Sequence, residues 1–126
     1  MSKYLGFKPT DNPNYYFLSY NSEDSDRISE LAGSMQNSGI ELWYDDGIEY
    51  GEKWEETLTR KIRNSQAMIL VFTKGILNKE NSYVQREFKI ASHLNKKVYV
   101  ILYDKIDSAA VPDDKLSWWK IGRAHV

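Results

Sequence analysis

Cysteine is absent from the chain, which excludes disulfide staples and thiolate metal sites and fits a reducing, cytoplasmic setting. Histidine is scarce too. The two present are His93, in a polar helical stretch, and His125, near the carboxyl end, so no metal site is expected. No glycine-rich phosphate loop occurs, which argues against nucleoside triphosphate hydrolysis. Neither sign of charge dominates: 17 Lys and Arg face 18 Asp and Glu, for a formal net charge of -1. That balance argues against a dominant surface for nucleic acid or anionic membrane. Long apolar runs are also missing. Ala67 to Phe72 and Val98 to Tyr103 are six residues each, far short of the ~20 that span a bilayer. Met1 to Thr10 lacks a sustained apolar region, so no signal peptide is expected.

What is present is the composition of one small domain. Of 126 residues, 41% are hydrophobic and 13% aromatic, enough for a single core and too little for two. Strand and helix patterns alternate along it. Tyr15 to Tyr20 reads as an aromatic-rich strand, and Asn21 to Asp24 offers a helix cap with first-turn acids. Ile28, Leu31, Ala32 and Met35 then carry the helical stripe i, i+3, i+4, i+7, which stops near Gly39. Ile40 to Tyr44 is a second strand, and Trp54, Leu58 and Ile62 mark a second helix. The continuous apolar runs at Ala67 to Phe72 and Val98 to Tyr103 predict two strands buried on both faces.

Four strands with helical crossovers predict an α/β fold, a flavodoxin-like parallel sheet in the order 2-1-3-4 with helices on both faces. Ligands in such sheets bind outside the carboxyl ends of the strands, beside the first strand. The loops after Tyr20 and Phe72 flank that crevice, and a helix rises from the second of them. On that helix Tyr83 precedes Glu87 by four residues, which places ring and carboxylate one turn apart on one face. Val84, Phe88 and Ala91 form a separate stripe, predicted to be the core-facing one. The pair therefore reads two ways, as a working carboxylate beside a ring or as a solvated helix surface.

Phe17-Leu18-Ser19-Tyr20, Gly39 to Asp45, Gly51-Glu52-Lys53-Trp54, Ala67 to Thr73 and Arg86-Glu87 occur in an order and spacing that resemble a Toll/interleukin-1 receptor (TIR) domain. The resemblance covers about residues 15 to 106 and is nearest to the bacterial branch. That branch includes enzymes that cleave NAD at the nicotinamide ribosyl bond, often in antiphage defence. The resemblance implies Glu87 as catalytic residue and Tyr83 as the stacking ring, where the family usually carries Trp. It implies Asp45, Trp54 and Leu58 as pocket lining, and Ser19, Tyr20, Asn21 and Ser22 as the loop over the substrate. Animal relatives carry basic residues at the places of Asn21 and Ser22, so hydroxyl and backbone N–H groups are expected to meet the phosphates here.

The implied chemistry needs one carboxylate. Nicotinamide leaves NAD as a neutral molecule, without the second acid that most glycoside hydrolysis requires. Glu87 is then expected to hold the ribose hydroxyls and stabilise the cation-like transition state. Capture by water gives ADP-ribose, and capture by the adenine end gives a cyclic ADP-ribose. NAD is thus substrate rather than cofactor, and no cofactor is expected.

The same resemblance implies self-association through TIR–TIR contacts, with Ile48 and Tyr50 exposed on the assembly loop from Asp46 to Lys53. A non-catalytic TIR scaffold acting by self-association alone is the alternative. A phosphoacceptor receiver domain, of the same fold class, fails because Thr73-Lys74-Gly75 stands where its acceptor Asp belongs. Two further aromatics, Trp43 on the second strand and Trp54, read as core or as stacking surface. Ile121 to Val126 resembles a translated sequencing adapter. The expected organisation is a TIR domain over 1–120, truncated at its C-terminus and lacking the fifth strand, followed by a non-native tail at 121–126. A natural tail is the alternative.

Overall fold

The computed structural model describes residues 4–46, 53–77 and 83–124, and the side chains of 123 and 124 are outside the description. Its four strands are β1 (Tyr16–Ser19), β2 (Leu42–Trp43), β3 (Met68–Phe72) and β4 (Val98–Leu102). They form one sheet in the order β2-β1-β3-β4, with every pairing parallel. Helices α1 (Ser25–Asn37), α2 (Trp54–Asn64), α3 (Tyr83–His93) and α4 (Leu116–Ala124) complete the domain. The expected flavodoxin-like order is therefore the observed one. α4 runs on into the stretch whose wording resembles an adapter.

Alternation along the strands decides what each face buries. Leu18, Ile69 and Val71 pack against Ile28 and Ala32 of α1 on one side of the sheet. On the other, Phe17 and Met68 meet Trp54, Leu58 and Ile62 of α2 and Ala91 of α3. Leu70, Phe72 and Val100 meet Val84 of α3 and Trp118 of α4 on that same side. Trp43 joins the α2 cluster at 8% exposure, so of its two readings the core one is correct.

Two expectations are corrected. β4 is not buried on both faces: only Val100 is fully buried, and Tyr99 is 42% exposed. It is the outermost strand described, and α4 covers just the side that Val100 faces. The loop after β1 does not cap α1 directly either. Ser22–Asp24 forms a 3₁₀ turn before α1, and neither Asn21 nor Asp24 caps a backbone N–H with its side chain. At the other end of α1, Gly39 adopts a φ of +91°, the left-handed stop that favours glycine.

Candidate functional site

Glu87 is 5% exposed, which excludes the solvated-surface reading. Three residues after Val84 and four before Ala91, it shares their buried stripe at i, i+3, i+7. Phe88, expected on that stripe, is only half-buried. The spacing of Val84, Phe88 and Ala91 hid this, because a heptad face about 100° wide admits both positions 87 and 88. A buried carboxylate is costly unless it accepts hydrogen bonds. Ser19 Oγ donates one to Glu87 Oε1 at 2.7 Å. Ser19 is the last residue of β1 and lies two places beyond Phe17, so it points to the same side of the sheet as α3.

Around this pair is a narrow cleft of about 260 Å³, lined by Leu18, Tyr20, Ser22, Asp45, Tyr83 and Glu87. It lies at the carboxyl ends of β1 and β2, beside the first strand, where the fold class places ligands. Tyr20 is 7% exposed and packs edge-on against Tyr44 with ring centroids 6.1 Å apart. Burial pushes its phenol far above the ordinary value, and Tyr44, Glu87, Asp45 and Asp46 add to that rise. Tyr20 thus stays a neutral hydroxyl across the physiological range.

The remaining residues singled out by sequence divide. Tyr83 lines the cleft and meets Trp54 edge-on at 6.0 Å. Trp54 itself, 6% exposed, is on the far side of that contact, under the Arg86 guanidinium at 5.5 Å. Asn21 is buried behind the cleft, where its Nδ2 donates to Asp24 Oδ2 at 3.0 Å. Leu58 is corrected: it is fully buried in the core under α2 and is not brought to the cleft. Ile48 and Tyr50 lie outside the described residues.

Sequence reasoning missed the supports of the first loop. Asp24 accepts from Thr73 Oγ1 at 2.6 Å and from Arg27 at 3.2 Å, and Arg27 reaches on to Asp104. Asp104 also accepts from the Lys74 backbone N–H at 2.8 Å. The loops after β1, β3 and β4 are thereby tied together beside the cleft. Gly75 is part of the fit, since a Cβ there would meet Asn21 Nδ2 at 2.6 Å and Asp24 Oδ2 at 2.8 Å. Only the acids after the first strand hinted at this network.

Among the described residues, no group of three or more His, Asp or Glu side chains is placed to hold a metal ion. Nor is any described helix long and apolar enough to cross a membrane.

The TIR domain family model matches residues 17–123. The 2' cyclic ADP-D-ribose synthase AbTIR of Acinetobacter baumannii is 26% identical over 117 residues, covering 90% of this chain and 44% of that protein. The 2' cyclic ADP-D-ribose synthase BtTIR of Bacteroides thetaiotaomicron is 27% identical over 94 residues, 72% of this chain and 33% of that one. This chain therefore spans less than half the length of either relative. Among solved structures, the TIR domains of the activated Roq1 resistosome superpose with a TM-score of 0.60 at 20% identity, covering 89% of this chain and 69% of that chain. At that identity the likeness is one of fold.

Proposed function

The chain belongs to the TIR domain family, and from that premise we propose that it is an NAD nucleosidase of immune signalling acting in the cytoplasm. The carrying observation is the buried Glu87 carboxylate, held by Ser19 in a cleft whose wall is Tyr83. The bond between the nicotinamide nitrogen and ribose C1′ breaks, and both electrons leave with neutral nicotinamide. Positive charge then develops on the ribose, and Glu87, itself buried, places a fixed anion beside it. Tyr83 offers a flat face for the nicotinamide ring, and the neutral Tyr20 hydroxyl donates to ribose or carbonyl oxygen.

Capture of the cation by water gives ADP-ribose. The names of the two relatives favour a cyclic product whose new bond is made to a 2′ oxygen. In that case a ribose hydroxyl of the same molecule, rather than its adenine, attacks C1′ and gives up its proton. NAD and water are the reactants in the first outcome, with a proton released, and NAD alone is the reactant in the second.

We also propose that the domain assembles with other copies of itself. The resistosome of which the Roq1 TIR domains are part supports that reading. The test of function is incubation with NAD at high protein concentration, with nicotinamide followed by chromatography. Nicotinamide release supports the enzyme. No release from assembled protein refutes it and leaves the non-catalytic scaffold.

A further inference from the structure

The cleft at Glu87 is a poor home for a diphosphate. Among the described residues its lining includes the two carboxylates Asp45 and Glu87 and no cation. The loop after β1, Asn21-Ser22-Glu23-Asp24, supplies no positive charge either. A dinucleotide carries two negative charges between its riboses, and no described residue of this cleft offsets them.

A second concavity begins on the other side of the Trp54–Tyr83 contact. It is a groove of about 760 Å³ between α2 and α3, lined by Trp54, Glu55, Arg86, Lys89, Ile90 and His93. Tyr83, Arg86, Ile90 and His93 follow one another at i, i+3, i+7 and i+10, so a single helix stripe runs from the wall of the Glu87 cleft down this groove. Arg86 and Lys89 bring two cations against one acid, Glu55. The Arg86 guanidinium is centred 5.5 Å over the Trp54 ring, a contact that holds this exposed side chain at the wall of the groove.

We propose that this groove is the diphosphate subsite of the substrate, with Arg86 and Lys89 holding the phosphate oxygens while the nicotinamide ribose enters the cleft at Glu87. The assignment rests on the NAD reading above and adds a second, cationic half to the same site. It replaces the expectation that hydroxyl and backbone groups of the first loop carry the phosphates. Arg86 pairs with phosphate through two parallel N–H bonds, and Lys89 adds a mobile point charge one turn further on.

Calorimetric titration with ADP-ribose and with adenosine separates the subsite from the reaction, because neither ligand is cleaved. The wild-type chain is expected to bind ADP-ribose more tightly than adenosine, and increasingly so as salt is lowered. Arg86→Gln and Lys89→Gln are each expected to weaken ADP-ribose by about five- to tenfold. Arg86→Lys should recover part of the loss by restoring charge without the fork. Lys120→Gln removes one exposed charge on α4 and is the matched control, with ADP-ribose affinity unchanged. Circular dichroism confirms that each variant is folded.

Equal ADP-ribose affinity in wild type, Arg86→Gln and Lys89→Gln overturns the subsite. So does wild-type binding no tighter than that of adenosine, or a loss confined to self-association. If NAD is cleaved with a Michaelis constant that neither variant moves, the subsite falls and the reaction stands. If ADP-ribose seats on Arg86 and Lys89 but nicotinamide is never released, the reaction falls and the subsite stands.

Discussion

Ser19 and Glu87, 68 positions apart in the chain, share a buried hydrogen bond of 2.7 Å that joins the end of β1 to the second turn of α3. One hydroxyl thus donates to a buried carboxylate that also lines the cleft. Ser19→Ala is therefore expected to cost roughly 1–3 kcal/mol of stability, as for other buried charged groups that lose a donor. It should also lower kcat more than it changes KM. Urea unfolding and steady-state kinetics read the two effects, and wild-type values in both would refute the linkage.

Glu87→Gln keeps shape and hydrogen-bonding reach but removes the anion. Turnover of NAD should fall by a factor on the order of a hundred or more while the fold is retained. Nicotinamide release at the wild-type rate would remove the catalytic role.

If the ring of Tyr83, which lines the cleft, stacks on the substrate, Tyr83→Ala should raise the Michaelis constant for NAD and Tyr83→Trp, which keeps a flat face, should be tolerated. The Trp54 contact at 6.0 Å adds a second consequence: the alanine variant should also be less stable to urea. Unchanged kinetics in Tyr83→Ala would take the ring out of the site.

Stability should fall at acid pH through Asp104. Burial raises its carboxyl, but the hydrogen bonds from Arg27 and the Lys74 N–H, with the charges of both, outweigh it and hold the folded value below the ordinary 3.8. A depressed carboxyl contributes fully above the unfolded value and loses that contribution as pH drops through the folded one. The urea midpoint should therefore decline below about pH 3.8, and Asp104→Asn should flatten that part of the profile. An identical slope in the variant would contradict the Arg27 link.

Specific activity should rise with protein concentration and fall in Ile48→Glu, if assembly through the loop from Asp46 to Lys53 completes the site. Sedimentation and nicotinamide release, measured on the same samples, check this. A strictly monomeric chain with concentration-independent activity would refute it.

Local pattern was enough for the sheet order and for the Tyr83–Glu87 pair. Apolar runs at Ala67 to Phe72 and stripes such as Trp54, Leu58 and Ile62 report their own burial, and parallel connectivity restricts how such pieces can join. A four-residue helical spacing is likewise a local fact. Burial of Glu87 was not local. It depends on Ser19 ending β1 in register with Leu70 of β3, and on which side of a 100°-wide stripe α3 turns to the sheet. Leu58 and Trp54 occupy one helix stripe, yet only Trp54 reaches a groove, because Leu58 sits one turn deeper against Phe17 and Met68. The ties among Asp24, Thr73, Arg27 and Asp104 cross three loops, whose meeting is set by strand register and helix packing. The sequence by itself thus determined the elements, their order and the spacing of Tyr83 and Glu87 on one helix. The tertiary structure decided which polar groups are buried, and against what, since burial is a property of neighbours distant in the chain.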